Sequence, residues 1–198
     1  MSSSSSSIQN MKYQYLSIDI KDKLNYINNY LIKSIELINL KFPSTDLMEI
    51  SNFLKGDKSE KYSLPNTFHI TTYFKEKSKT KKDQIKNKAI DEFILEKHVK
   101  IVILGYIVIL NGGLIAIVNV DEHVNNQFPH ITSVVGGFKP YYSNVILEEV
   151  SKLYVFKGYD NNEDFIDSFS VLLDGKSYNG YIILYHEYLE VDGYMNYH

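Results

Sequence analysis

The sequence contains no cysteine and no arginine, and each absence removes a class of site. Without cysteine, no disulfide framework, thiolate nucleophile or cysteine-ligated metal is possible. A reducing compartment is compatible with this, and we expect a cytoplasmic or nuclear location. All 21 basic residues are lysine, so the bidentate guanidinium fork is not available to grip a phosphate. Any phosphate contact must come from lysine, hydroxyl, imidazole or backbone N–H groups.

Charge, length and composition favour one folded domain. The net charge of −3 argues against a large surface for duplex DNA, whose affinity rests on many basic contacts. The lysine-rich run 75–82 is a local exception, which fits either an RNA-attracting segment or a solvated loop. Residues 1–11 are serine-rich, lack the parts of a signal peptide and are predicted to form a flexible tail. Residues 12–198 are predicted to form a single monomeric domain.

A hydrophobic run from Ile101 to Val120 is long enough on paper to cross a bilayer. Its centre, however, is Asn111-Gly112-Gly113, and β-branched residues flank that centre on both sides. Asn-Gly between such runs is a strong hairpin signal, because the tight turn needs residues that tolerate positive φ. We therefore predict two central strands buried on both faces, and no membrane span.

Two short runs carry most of the functional information: Phe68-His69-Ile70-Thr71-Thr72 and Phe128-Pro129-His130-Ile131-Thr132-Ser133. Side chains alternate faces along a strand, so the His and Thr of each run point one way and the central Ile points the other way. One such tripeptide is usually an ordinary half-buried strand. Two copies among only six histidines, with matching flanks, favour a paired site.

The paired site would contain His69, Thr71, His130 and Thr132. Two imidazoles can act as one proton donor and one proton acceptor, and two hydroxyls can hold phosphate oxygens. This set of groups is sufficient for metal-free hydrolysis of a phosphodiester. The sequence leaves open which histidine is the acid and which is the base.

The remaining pattern predicts an α+β fold in which each half contributes one motif strand to a shared cleft. A polar, looser stretch is expected between residue 43 and Pro65. Ser143 or Asn144 is predicted to cap the helix that follows the second motif. The predicted helices cover about residues 22–40, 82–94 and 143–152. The predicted strands are 13–20, 67–74, the 101–120 hairpin, the second motif, 153–156, 164–173 and 178–188, with a turn at Asp174-Gly175.

Taken together, these features resemble the 2H phosphoesterase superfamily, over about residues 12–190. The closest branch contains the 2′,3′-cyclic-nucleotide 3′-phosphodiesterases and the cyclic phosphodiesterase domain of fungal tRNA ligases. The resemblance rests on Tyr15-Leu16-Ser17-Ile18-Asp19, on His69 to Phe74, on His130-Ile131-Thr132, and on Lys139-Pro140 followed by Ser143-Asn144 and Leu147-Glu148. The fourth motif position, often apolar in the superfamily, is Thr72 in one repeat and Ser133 in the other.

The resemblance implies a two-lobed fold with antiparallel sheets lining a central cleft and helices on the outside. It also implies hydrolysis of 2′,3′-cyclic phosphates, on nucleotides or RNA 3′ ends, to 2′-phosphates, with no metal and no other cofactor. The candidate substrate-binding residues are Tyr15, Phe74, Phe128, Pro140 and Tyr141. Phe74 and Phe128 are expected to stack on a base, which is worth ~1–3 kcal/mol. Tyr15 is expected to reach the phosphate through water.

Two other functions stay open at this point. One is cleavage of 2′-5′-linked oligoadenylate or another signalling nucleotide, which other 2H proteins perform. The other is a catalytically silent RNA-binding module, against which the intact His and Thr of both motifs count. A metal site at Asp121, Glu122 and His123 is disfavoured, since adjacent residues rarely converge on one ion. No His-Ile-Thr motif surrounds the other histidines, which are His98, His186 and His198.

Overall fold

The computed structural model describes residues 15–20, 24–74, 97–122, 124, 126–138, 142–156 and 162–197. The predicted tail 1–11, the lysine-rich run and the predicted helix 82–94 lie outside the described residues. The described helices are α1 (Leu24–Lys41), α2 (Thr45–Leu54) and α3 (Tyr142–Ser151). The described strands are β1 (Tyr15–Ile20), β2 (His69–Phe74), β3 (His98–Ile109), β4 (Gly113–Val120), β5 (His130–Val135), β6 (Phe165–Leu173) and β7 (Lys176–Tyr197). The α+β class is thus confirmed.

Helix α1 follows from its apolar spacing. Ile27, Leu31, Ile35 and Ile38 recur every three or four residues, and all four are buried in the described helix. The helix continues to Lys41, one residue beyond the predicted end, and Pro43 follows the break.

The looser, polar stretch predicted after Pro43 is wrong in part, because Thr45–Leu54 form helix α2. It begins after Ser44, whose extended backbone (φ −150°) occupies the N-cap position. Leu47 and Ile50 are buried at helical spacing, and Asp46 in the first turn complements the helix dipole. Gly56, with a φ of 113°, lies just past the helix end, where glycine is favoured. A ten-residue helix with one narrow apolar stripe gives a weak periodic signal.

The long hydrophobic run forms the predicted hairpin of β3 and β4. Ile109 is paired with Gly113, and the turn between them uses Asn111 with a φ of 58°. The inner residues of both strands are buried on both faces. No helix within the described ranges is both long and apolar enough to span a membrane.

All seven described strands join in one antiparallel sheet, with order β1-β2-β5-β4-β3-β7-β6. Strand β7 is longer than the predicted 178–188, and its final residues pair with both β3 and β1. Pairing therefore returns from β7 to β1, so that six of the strands form a closed ring of neighbours. Strands β2 and β5 meet through one residue pair, Ile70 and Ile131. This narrow junction is where the two motif strands lie side by side.

The sheet buries both of its faces, but against different partners. One face packs on α1 and α2 through a cluster that includes Ile18, Ile70 and Ile131. The opposite face carries a second cluster, in which Ile115 and Ile117 of β4 lie with Ile146, Leu147 and Val150 of α3. A register shift in β3 at Gly105 exchanges the two faces along that strand. A Cβ at this position would lie 2.0 Å from the Ile183 carbonyl oxygen, so the close approach requires glycine.

Two further local predictions are wrong. Residues 153–156 are not a strand, because the chain turns back after α3 and the Tyr154 N–H donates to the Val150 carbonyl. Ser143 and Asn144 lie inside α3, which begins at Tyr142, so neither is the cap. The predicted Asp174-Gly175 turn is confirmed, and both residues have positive φ, as a tight hairpin requires.

Candidate active site

The geometry of the site follows from the pairing of two isoleucines. Ile70 of β2 lies opposite Ile131 of β5, and both side chains are completely buried under the first helical layer. Directly paired residues share a face of the sheet, so the residues before and after each isoleucine point to the other face. His69, Thr71, His130 and Thr132 therefore share that opposite face. Because the strands are antiparallel, His69 neighbours Thr132, and Thr71 neighbours His130.

Hydrophobic burial fixes this arrangement. A slip of one residue would expose Ile70 and Ile131 and turn the histidines into the apolar layer. Each isoleucine would lose roughly 1.5–3 kcal/mol of burial free energy. Burying imidazoles and hydroxyls without partners would add a further penalty. Burial of the two isoleucines therefore fixes the register that keeps the four polar side chains on one face.

His130 is buried, with 8% of its surface exposed, and its Nδ1 lies 2.8 Å from the Phe128 carbonyl oxygen. The carbonyl can only accept, so Nδ1 carries a proton, and in the neutral ring Nε2 carries the lone pair. Burial lowers the pKa of His130 below its ordinary 6.5; the Phe128 hydrogen bond offsets part of this, and the nearby charge of His69 lowers the pKa further. The surroundings of His130 thus favour the neutral ring.

His69 lies opposite a buried acidic residue that sequence reasoning did not assign to the site. Asp19 of β1 is the register partner of His69 and therefore shares its face. Its carboxylate accepts hydrogen bonds from Ser17 Oγ at 2.7 Å and from Asn196 Nδ2 at 2.8 Å. The site therefore places an acidic neighbour beside one histidine and a buried environment around the other.

The two threonines are held differently. Thr132 Oγ1 lies 3.4 Å from Ser143 Oγ, and Ser143 is completely buried in the first turn of α3. This contact brings the N-terminal end of α3, where backbone N–H groups and the helix dipole favour anions, next to the motif. Thr71 is the register partner of Ser17 and is half-buried on the same face.

The fourth residue of each motif belongs to the interior. Thr72 is buried and donates its hydroxyl to the Leu16 carbonyl at 3.0 Å. Ser133 is completely buried and donates to the Ile131 carbonyl at 3.4 Å. A backbone carbonyl accepts a hydrogen bond from each hydroxyl, so both polar side chains are satisfied in the interior.

Of the predicted substrate-binding residues, only Phe128 has a described side chain. It is half-buried and packs edge-to-face on Phe156, with ring centroids 6.3 Å apart. Tyr15 and Phe74 are register partners at one end of β1 and β2, and their side chains are not described. Pro140 and Tyr141 lie outside the described residues.

The remaining histidines and acidic residues lie elsewhere. His98 Nε2 is 3.0 Å from Asp192, and His186 Nδ1 is 2.9 Å from Asp164, both as surface pairs. Asp121 accepts the Lys100 N–H and Glu122 pairs with Lys97, whereas His123 and His198 are outside the described part of the chain. Within the described ranges, no cluster of three or more metal-ligating side chains occurs.

Two residues of the site, Asp19 and Asn196, were missed for different reasons. Ser17 and Asp19 are polar positions in an otherwise apolar strand, and their spacing of two is the signal that could have placed both on the site's face. Asn196 lies in the extension of β7, where only the pairing with β1 brings it to Ser17.

Comparison with known proteins gives a fold neighbour and no family. No family model matches the chain, and no curated protein matches it. A solved fungal RNA kinase is similar in structure, with a TM-score of 0.54 at 13% identity, over 96% of this chain and 46% of that chain. This chain therefore spans less than half the length of that kinase chain, and the likeness concerns the fold.

Proposed function

We propose that this protein is a metal-independent phosphodiesterase of the 2H type that opens 2′,3′-cyclic phosphates at RNA 3′ ends or on nucleotides. The observation that carries the proposal is the Ile70–Ile131 pairing, which turns both His-Ile-Thr motifs to one face. The similarity in fold to a protein described as an RNA kinase supports a substrate related to RNA. Residues 12–198 would act as one two-lobed domain, with the β2–β5 junction between the lobes.

In the proposed reaction, His130 is the general base. Its Nε2 removes a proton from a water molecule, whose oxygen attacks the phosphorus atom. The buried ring, neutral at pH 7, suits this role because a base must be unprotonated before the step. The hydrogen bond from Nδ1 to the Phe128 carbonyl fixes the tautomer and the orientation of the ring.

His69 is the proposed general acid. As the bond from phosphorus to the ribose 3′ oxygen breaks, His69 gives its proton to that oxygen, and a 2′-phosphate remains. The buried carboxylate of Asp19, its register partner, favours the protonated ring that this step requires. The acid and base thus differ in environment, which is how one site holds both protonation states at one pH.

The hydroxyls of Thr71 and Thr132 would donate hydrogen bonds to the non-bridging phosphate oxygens. Charge on these oxygens grows in the transition state, and preorganised donors stabilise it. Thr132 Oγ1 lies 3.4 Å from Ser143 Oγ, and the dipole of helix α3 favours negative charge at the same place. These groups replace the arginine clamp that the sequence cannot provide.

A substrate panel tests the proposal. The panel contains 2′,3′-cyclic mononucleotides, a short RNA with a terminal cyclic phosphate, and 2′-5′-linked oligoadenylate, each assayed with and without excess chelator. We expect hydrolysis of the cyclic phosphates to 2′-phosphates that survives the chelator. Activity that is lost to the chelator and restored by Mg²⁺ or Mn²⁺ would overturn the two-histidine mechanism, and cleavage of the oligoadenylate alone would replace the proposed substrate.

A further inference from the structure

Each motif threonine has a completely buried serine next to it. Ser143 of α3 lies beside Thr132, with 3.4 Å between the two hydroxyl oxygens. Ser17 of β1 is the register partner of Thr71 and therefore shares its face of the sheet. The two serines differ in where their hydroxyl protons go, and this difference makes the two threonines unequal.

The Ser17 hydroxyl is committed to a carboxylate. Its Oγ donates to Asp19 Oδ1 at 2.7 Å, a distance typical of a strong bond to a charged acceptor. A hydroxyl has a single proton, so Ser17 has none left to donate to Thr71. The serine next to Thr71 therefore does not orient the Thr71 hydroxyl by donating to it.

The Ser143 hydroxyl has a different partner. It pairs with Thr132 Oγ1, and either oxygen of that pair could be the donor. Ser143 is the second residue of α3, so the helix offers it no carbonyl four residues earlier. Burial then decides the direction, because Ser143 is completely buried whereas Thr132 is only half-buried. A buried hydroxyl proton without an acceptor costs free energy, so Ser143 donates to Thr132.

This direction makes Thr132 a preorganised donor. One of its lone pairs accepts from Ser143, and its own proton is left for a group in the site. Ile146, Leu147 and Val150 pack α3 on the sheet, which holds Ser143 in place. The separation of 3.4 Å is longer than the usual ~2.7–2.8 Å, and catalytic hydrogen bonds commonly tighten once the substrate is bound. A donor that is already oriented needs no reorganisation as charge develops on the phosphate.

We propose that Ser143 is a positioning residue, which acts through Thr132 and makes Thr132 the stronger of the two phosphate donors. The proposal rests on the proposed function and deepens it, because the site would then distinguish the two non-bridging oxygens of the cyclic phosphate. One of these oxygens accepts from Thr132 and the other accepts from Thr71. Substrates in which only one of the two oxygens is altered should therefore react at different rates.

The two diastereomers of adenosine 2′,3′-cyclic phosphorothioate test this directly, because each carries sulfur in place of one non-bridging oxygen. Sulfur is a weaker hydrogen-bond acceptor than oxygen. We expect the wild type to hydrolyse one diastereomer about tenfold or more faster than the other, and Thr132→Ala to remove most of that preference. Ser143→Ala should lower kcat/KM for the favoured diastereomer about two- to tenfold, which is the range for one hydrogen bond, and should reduce the preference in the same direction.

Ser133→Ala is the matched control. Ser133 is also completely buried and follows Thr132 in β5, but it points to the opposite face and donates to the Ile131 carbonyl. This variant should lower the stability and leave the ratio of the two rates unchanged, as would any merely structural role of Ser143.

A double variant shows whether Ser143 acts through Thr132. In Ser143→Ala/Thr132→Ala we expect no loss beyond that of Thr132→Ala alone, because the interaction has already been removed. Three results would overturn the proposal: a wild type without preference, an unchanged ratio in Ser143→Ala, or losses that multiply in the double variant.

Calorimetric titration with adenosine 2′-phosphate, the proposed product, gives an answer that does not depend on turnover. Binding should weaken in Thr132→Ala and in Ser143→Ala, weaken no further in the double variant, and stay unchanged in Ser133→Ala. That result would support the positioning role even if neither phosphorothioate is hydrolysed, and failure of hydrolysis alone would count against the proposed function. No binding to the wild type, or equal binding to Ser143→Ala, would overturn the positioning role.

Discussion

His69 lies near enough to His130 for its charge to lower the pKa of that second histidine. The two residues are 61 positions apart in the sequence, and the Ile70–Ile131 pair brings their strands together. The larger effect on His130 is burial, which also lowers its pKa, while the Phe128 carbonyl opposes the shift. The pair therefore contains one imidazole that gives up its proton easily and another that has an acidic neighbour.

The first prediction concerns the pH dependence of activity. A general base works in its unprotonated form, so a lowered pKa of His130 moves the acid limb of kcat/KM to a pH below 6.5. We expect a bell-shaped profile whose acid limb falls below that value, measured on adenosine 2′,3′-cyclic phosphate in constant-ionic-strength buffers. An acid limb above 6.5 would contradict the assignment of His130 as the buried base.

The second prediction concerns Asp19. Asp19→Asn keeps an acceptor for Ser17 but removes the negative charge beside His69. We expect the alkaline limb of the kcat profile to move to lower pH, because the protonated acid is less favoured without the carboxylate. At pH 8, kcat should fall by roughly tenfold, less than the 10²–10⁴-fold typical of removing an acid–base group.

A purely structural role for Asp19 would give a different result. It would lower the thermal stability and the fraction of active protein without moving either limb of the profile. The control is His98→Asn, which alters a surface histidine paired with Asp192 and should leave both limbs unchanged. An unmoved alkaline limb in Asp19→Asn would remove Asp19 from the proton-transfer account.

The third prediction concerns a buried hydroxyl beneath the sheet. Tyr106 is completely buried, and its hydroxyl has no hydrogen-bond partner among the described residues. Its ring packs edge-to-face on Tyr185, whose hydroxyl is hydrogen-bonded to Ser34. Tyr106→Phe removes a buried polar group and breaks no hydrogen bond, so the free energy of unfolding should rise by about 1 kcal/mol.

Tyr185→Phe is the matched control for that variant. It deletes a hydroxyl that does have a partner, so the free energy of unfolding should fall by about 0.5–1.5 kcal/mol. Urea unfolding of both proteins, followed by circular dichroism, gives the comparison. Destabilisation of equal size in both would mean that the Tyr106 hydroxyl contributes as much as a bonded one.

Strong local patterns made much of this fold predictable. Asn111-Gly112-Gly113 between β-branched runs specified the β3–β4 hairpin, and the alternation of each motif specified a strand. Helix α1 was evident from its unbroken apolar stripe. These signals are local, so they need no knowledge of which strands become neighbours.

What the sequence did not reveal depends on contacts between distant residues. Asp19 and Asn196 are 177 positions apart and meet only because β7 extends to pair with β1. The segment 153–156 has strand-like composition, yet it turns back on α3 instead. Helix α2 buries Leu47 and Ile50, and a helix of only ten residues gives a weaker periodic signal than α1.

The most direct test of the account is the turnover of adenosine 2′,3′-cyclic phosphate by His69→Asn and His130→Asn, with His98→Asn as the surface control. Removing a general acid or base typically costs 10²–10⁴-fold, so each motif variant should lose at least ~100-fold in kcat with its fold intact by circular dichroism. The double variant should be much less than multiplicatively worse, because the two residues act as a unit. Near-normal turnover in either folded motif variant would contradict the two-histidine mechanism.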